Sequence, residues 1–338
     1  MKGLTIHVAL LALASAAALK IWTRDAEQDK TAAAEVSVWS APAESVEHVV
    51  LETKSRKVVI EPKKDAVGRY YVLRVEKDAG DPAGDGDEPP KHPEPPKGPL
   101  KQETLAFVGV KSADETVGKL AKLSAVRALG KLDPARAADF GLDKPEGTLK
   151  IKISGKEHVL TIGANTPGAS ERYAKYGASG EVFAISGEIM QSLQFADSRL
   201  MERELHAYEP EEVTRIRVTR GGKSRELVRI AGKQDAWADA ATPTKPDESF
   251  GNWNTKLARV RITDYVEKPA VAPTPANQSV RVEYFAGSKS LGFLELYKLP
   301  GGSEGNEYLA KSEQTRWYAK VLGSAAEQAD QDSANLFK

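Results

Sequence analysis

The run KLSAVRAL at residues 122–129 returns as KLARVRIT at residues 256–263, 134 positions later. A chain that writes one amphipathic phrase twice has two like surfaces to bury, and the stretches around the phrase repeat in the same order. SVEHVVLETKSRKVVI (45–60) and EEVTRIRVTRGGKSRELVRI (211–230) alternate around polar turns. They predict antiparallel hairpins in which Val49 and Leu51, then Ile216 and Val218, face a core. An aromatic strand follows each: Tyr70-Tyr71-Val72 in one copy, Trp237 in the other. Asp114-Glu115 and Asp247-Glu248 then supply a cap and a dipole partner for a helix. Val117, Leu120, Leu123 and Val126 carry the first helix through the phrase at helical spacing, as Trp253, Leu257 and Val260 carry the second. TLKIKISGKEHVLTIG (148–163) and SVRVEYFAGSKSLGFLELY (279–297) predict further hairpins turning at Gly155 and Gly287. RYAKYGASGEVFAI (172–185) and EYLAKSEQTRWYAKV (307–321) predict a third hairpin in each copy, followed by a helical stretch.

This order implies an α+β fold made of two tandem repeats of mainly antiparallel β-sheet with packed helices. The first unit spans residues 36–205 and the second 206–338. Within the first, DAGDPAGDGDEPPKHPEPPKGP (78–99) is too rich in proline and glycine to form a regular element.

The chain of 338 residues has room for two cores, and its 48 basic and 48 acidic side chains leave no net charge. No polyanionic partner is implied, so nucleic acid is not expected. The absence of cysteine excludes disulfides, thiolate metal sites and cysteine nucleophiles. Leu4 to Trp22 is about one bilayer's length of mostly apolar helix, with Lys20 placed to snorkel and Trp22 to sit at an interface. Residues 1–22 therefore read as an N-terminal transmembrane helix, or as a signal segment cleaved near Ala14-Ser15-Ala16, and 23–35 as a polar linker. Either reading carries the body out of the cytoplasm; the anchor reading gives a single-pass inner-membrane protein with its body on the periplasmic side.

Asp133 and Pro134 begin a short helix that Gly141 stops and Pro145 keeps from restarting. The run Phe140-Gly141-Leu142-Asp143 with Pro145, then Ile162-Gly163, Arg172-Tyr173, Val182-Phe183, Asp197, Arg199 and Leu200, resembles a bacterial family catalogued as domain of unknown function 4340. The likeness is strongest over roughly 130–220. It implies repeated α+β units behind an N-terminal membrane segment, and an accessory protein on the outer side of an ABC transporter of the gliding-motility type. It brings no catalytic residues. The proline-rich run departs from the family's common pattern.

Candidate chemistry is sparse. Gly301-Gly302-Ser303-Glu304-Gly305 has G-x-S-x-G spacing, but Pro300 precedes it and strand-like EYLAK follows, which predicts a hairpin loop rather than a nucleophile elbow. His7, His48, His92, His158 and His206 lack the spacing of metal ligands, and Asp81, Asp85, Asp87 and Glu88 lack the order of a calcium loop. No phosphate-cradling or dinucleotide motif occurs, and no cofactor is expected. Arg215, Arg217, Arg220 and Lys223 make one hairpin basic, and are candidates to meet lipid headgroups or an acidic partner. Trp39, Trp237, Trp253 and Trp317 fall mostly in apolar runs and read as core. The expectation is a non-enzymatic, membrane-anchored extracytoplasmic accessory or scaffold protein, partnering an ABC transporter permease or another envelope protein. The alternative is an envelope hydrolase or carbohydrate-binding protein with a site between the two units.

Overall fold

A computed structural model describes residues 35–78, 102–168, 170–233, 236–301 and 305–338. The apolar leader with most of its linker, the proline-rich run from residue 79, and Gly302-Ser303-Glu304 lie outside these residues. No helix among the described residues is long and apolar enough to cross a membrane.

Strands β1 (Val36–Ser37), β2 (Val46–Thr53), β3 (Arg56–Lys64), β4 (Arg69–Asp78) and β5 (Gln102–Gly109) precede helix α1 (Lys111–Ala121). Strands β6 (Ser124–Lys131), β7 (Gly147–Ile153), β8 (Lys156–Asn165), β9 (Arg172–Tyr176) and β10 (Glu181–Ile185) follow, and helices α2 (Gly187–Gln194) and α3 (Ala196–Arg199) end the first half. The second half runs β11 (Arg215–Arg220), β12 (Lys223–Arg229), β13 (Trp237–Asp239), α4 (Glu248–Leu257) and β14 (Ile262–Val266). It continues with β15 (Gln278–Ala286), β16 (Lys289–Gly301), β17 (Gly305–Ser312), β18 (Tyr318–Val321) and α5 (Gly323–Ser333).

These strands form two antiparallel sheets, ordered β1-β6-β10-β9-β8-β7-β2-β3-β4-β5 and β13-β12-β11-β15-β16-β17-β18-β14. Read from opposite ends, β6-β10-β9-β8-β7-β2-β3-β4 and β14-β18-β17-β16-β15-β11-β12-β13 are one order. The architecture is α+β, and the first sheet adds β1 and β5 at its two edges. Period-two alternation decides which face is covered: Val49, Leu51, Val58, Ile60, Leu149 and Ile151 are almost fully buried beneath Leu120, Leu193 and their helix neighbours. Ile216, Val218, Val282, Leu294 and Leu296 form the same surface in the second half, under Phe250, Trp253, Ala326 and Ala329. Burying each such side chain contributes about 1.5–3 kcal/mol, so the helix-covered faces hold most of the apolar stabilisation.

The repeated phrase departs from its expected form. Helix α1 ends at Ala121 and α4 at Leu257, and the residues after them turn into β6 and β14. In the sheets Ala125 pairs with Ile185 and Ile262 with Val321, each just before a closing helix. Leu123 is thus the counterpart of Val260, both buried at the start of the turn into a strand, rather than of Leu257. The phrase is a helix-to-strand junction, and the two copies are about one helical turn out of step. Helix α1 also starts a turn earlier than Asp114, whose carboxylate instead accepts the Tyr71 hydroxyl at 2.5 Å. Asp247 does cap α4, accepting the Phe250 N–H.

The two sheets are locked together. Ile262, Tyr265 and Ala319 of the second half join the first core, and the Tyr265 hydroxyl donates to the Glu202 carbonyl at 3.0 Å. Arg316 reaches Asp65 at 3.2 Å and lies over the Tyr70 ring, while Arg74 pairs with Glu267 at 3.0 Å. The chain between the halves is pinned as well: the Glu202 N–H donates to Val108, and the Glu202 carboxylate accepts from Gln314.

Asp330, on the inner side of α5, accepts Arg220 at 2.7 Å and the Tyr308 hydroxyl at 3.0 Å, with its side chain only 6% exposed. Replacing Asp330 by Ala leaves both donors without that acceptor, and the expected loss is about 2–3 kcal/mol in urea denaturation. The double variant Arg220→Met with Asp330→Leu should recover part of it.

Candidate functional site

The basic hairpin β11–β12 meets its own counter-charges. Arg217 forks onto Glu226 at 2.9 and 2.5 Å, Arg215 reaches the same carboxylate at 3.2 Å, and Arg215 lies 3.9 Å from the Phe285 ring centre. Both arginines stand on the face opposite Ile216 and Val218. Arg220 falls on the other side, because it shares the alternation of Val218, and it ties α5, through Asp330 and Ser333, to the Ser279 carbonyl of β15. Arg225 ties Asp239 and Asp247 together at 2.8 Å each. Lys223 is exposed at the start of β12. The first three named cations are thus part of the sheet's internal charge pattern, in which Arg217 faces Glu283 and Arg281 faces Glu295 across the strands.

Trp253 is buried with its indole N–H on the Ala329 carbonyl at 2.8 Å, and Phe250 lies between it and Trp237. Trp317 packs at the junction. His158 and His206 each sit among aromatic rings, and no three His, Asp or Glu side chains among the described residues gather as metal ligands. The acidic loop from Asp81 to Glu88, His7, His92 and Ser303 lie outside the described residues.

A cavity of about 640 Å³ opens between the connector at residues 203–211, the end of α4 and the inner face of the second sheet. Its walls include His206, Tyr208, Trp237 and Tyr284, with Leu257, Val260 and Leu294 beneath. His206 stacks on Tyr208 at 4.7 Å and meets Tyr284 edge-on at 4.8 Å. Burial holds the Tyr208 and Tyr284 hydroxyls far above their usual pKa, so both stay protonated, and the Tyr208 hydroxyl is buried with no hydrogen-bond partner among the described residues.

The duplicated fold explains why the cavity is there. Val49 pairs with Ile151 as Ile216 pairs with Tyr284, and Ile151 pairs with His158 as Tyr284 pairs with Gly292. Leu160 pairs with Tyr176 as Leu294 pairs with Ser312. The short 3-10 turns at Ala43–Ser45 and Pro210–Glu212 lead into β2 and β11 alike, which makes Trp39 the counterpart of His206 and Ala41 that of Tyr208. In the first half Trp39 packs on His158 and Tyr176 at 4.8 and 5.3 Å and closes the seam. Its indole N–H bonds the Leu120 carbonyl, while the Val38 and Ala41 N–H groups bond Leu123 and Ala121. In the second half the same three positions hold His206, Gly292 and Ser312, Glu313 fills the space beside Gly292, and the cavity lies between the connector and the end of α4, where no counterpart of the Val38 and Ala41 hydrogen bonds is made among the described residues. Val260 and Ala258 carbonyls, at the corresponding helix end, accept Arg261 instead.

Glu313 refills part of the lost volume. Its side chain is 8% exposed, accepts the Phe293 N–H at 2.8 Å, pairs with His206 at 3.0 Å, and occupies the space where a side chain on residue 292 would begin. Only glycine at 292 leaves that room. The sequence offered no periodic signal for this site, since His206 and Glu313 are 107 positions apart.

Residues 111–279, half of the chain, match the family described as Domain of unknown function (DUF4340), and the chain belongs to that family. The matched span runs from α1 in the first half to β15 in the second. No curated protein and no solved structure matches the chain. Several of the signature residues make packing and charge contacts in the first half. Gly141 has φ 64° and a Cβ there would strike Ala164, while a Cβ on Gly163 would strike the Phe140 carbonyl, so the short helical turn and β8 touch through two glycines. Tyr173 meets Phe140 edge-on at 4.8 Å, Arg172 pairs with Glu146, and Asp197 holds buried Arg56 at 3.2 Å.

Two outcomes follow from this geometry. Gly292→Ala should cost about 1–3 kcal/mol by forcing Glu313 off its seat, whereas in a Glu313→Ala background the same change should be nearly neutral; a double-mutant cycle by thermal unfolding reads the coupling. The Ala241 N–H and the Arg225 guanidinium hold Asp239 below the ordinary carboxylate range. A depressed folded pKa adds stability above the unfolded value and loses it as pH falls through the folded one. Thermal scans of Asp239→Asn should therefore show the widest gap from the parent chain at neutral pH, closing below about pH 4.

Proposed function

We infer that this chain is a non-enzymatic, membrane-anchored extracytoplasmic accessory or scaffold protein that serves an ABC-type transporter complex by binding a partner. The observation that carries the binding role is the cavity beside the connector. It is lined by aromatic and aliphatic side chains with both signs of charge at its rim. His206 pairs with Glu313 at 3.0 Å and stacks on Tyr208, which gives the cavity wall an aromatic face held in place by that contact. The apolar segment from Leu4 to Trp22 supports the anchor, and the family resemblance supports the transporter context and a body on the periplasmic side of the inner membrane. Packing of Ile262, Tyr265 and Ala319 into the first core suits a scaffold, since it joins the two halves through buried contacts.

Crosslinking in native membranes with the full-length chain tests this role. Recovery of permease subunits of an ABC system is the expected outcome. A chain found free of the membrane, with no envelope protein attached, would overturn it.

A further inference from the structure

The first half of the molecule shows what closes the seam that the second half leaves open. There, an extended segment lays its Trp39 ring between the end of α1 and the inner face of the sheet, with the indole N–H on Leu120 at 2.9 Å. The same segment donates its Val38 and Ala41 N–H groups, each at 2.9 Å, to the carbonyls that end the helix. In the second half the counterpart stretch, residues 205–208, stands as a wall of the cavity away from the end of α4, and what is missing between them is one aromatic side chain and a main chain that bonds the helix end.

We propose that the cavity at His206, Tyr208, Trp237 and Tyr284 takes up an extended peptide segment of a partner protein that carries an aromatic side chain. Three features of the cavity fit that occupant. The volume of about 640 Å³ exceeds what one aromatic side chain fills and leaves space for the adjoining main chain. The rings of Tyr208, Trp237 and Tyr284 offer offset and edge-on surfaces to an incoming ring. The rim sets Arg203, Arg229 and Arg261 beside Glu204, Glu209 and Glu211, an even mixture that complements alternating carbonyl and N–H groups better than a head group of one charge. An aromatic anchor in a pocket with polar groups around it is the usual energetic centre of a peptide contact.

This inference rests on the reading of the chain as a partner-binding protein, and its test is independent of membrane anchoring or transporter recovery. The probe is a capped peptide of residues 36–43, VSVWSAPA, with a fluorine on its tryptophan, titrated with the full-length chain and followed by fluorine NMR. The seam of the first half is already filled by the same sequence, which directs the probe to the second. Binding should weaken about tenfold or more when the peptide's tryptophan is replaced by alanine, and by a similar factor in Ala258→Trp, which fills the cavity from an exposed helix end. Unchanged thermal unfolding of Ala258→Trp shows that the loss is local. Equal affinity for parent and Ala258→Trp chains, absence of binding, or free indole binding as tightly as the peptide would each overturn the proposal.

Discussion

Each sheet has one apolar face that must be covered, and covering it is the constraint on which the remaining structure depends. A helix follows the first meander, of four strands in the first half and three in the second, and another helix follows the last hairpin of each, so that two helices land on the same face. The alternation of Val49 with Val50, or Val218 with Thr219, would send every apolar side chain to the wrong face if pairing slipped by one residue. The shared strand order is what allows the halves to be compared position by position, and it is that comparison which gives the cavity a meaning.

Charge is distributed to suit the same plan. The outer face of the second sheet pairs arginines with carboxylates across neighbouring strands, and the inner face admits Arg220 only where Asp330 and Ser333 receive it. These contacts fix register and helix position. They also explain why a hairpin with six cations can belong to a chain with no net charge and still hold together at its surface.

The family signature and the cavity lie in different places. Phe140, Gly141, Gly163 and Tyr173 bring the short helical turn against β8 in the first half, and Asp197 secures α3 against Arg56 and Lys77. The cavity belongs to the second half, where the connector stands away from the end of α4. One copy of the duplicated unit therefore carries its seam sealed, and the other carries it open.

Much of the fold was legible along the chain. Period-two runs located the three hairpins of each half, Gly155 and Gly287 located one turn in each, and Asp247 marked its helix, because each signal is local and acts through neighbouring backbone. The repeated phrase was legible as a repeat but not as a helix-to-strand junction, since Leu123 and Val126 satisfy helical spacing equally well and only the pairing of β6 with β10 decides between them. Strand β5 and the early start of α1 were likewise set by packing, the latter by a hydroxyl from Tyr71 that no sequence window contains. The basic residues could be counted but not neutralised on paper, because Glu226, Asp239 and Asp330 approach them only through cross-strand register and helix docking. Sequence alone thus determined the α+β class and the existence of two like units, through short-range periodicity. Tertiary structure decided that Trp39 closes the first half against the end of α1 while the connector at His206 stands away from the end of α4, because such contacts join side chains and backbone from distant parts of the chain.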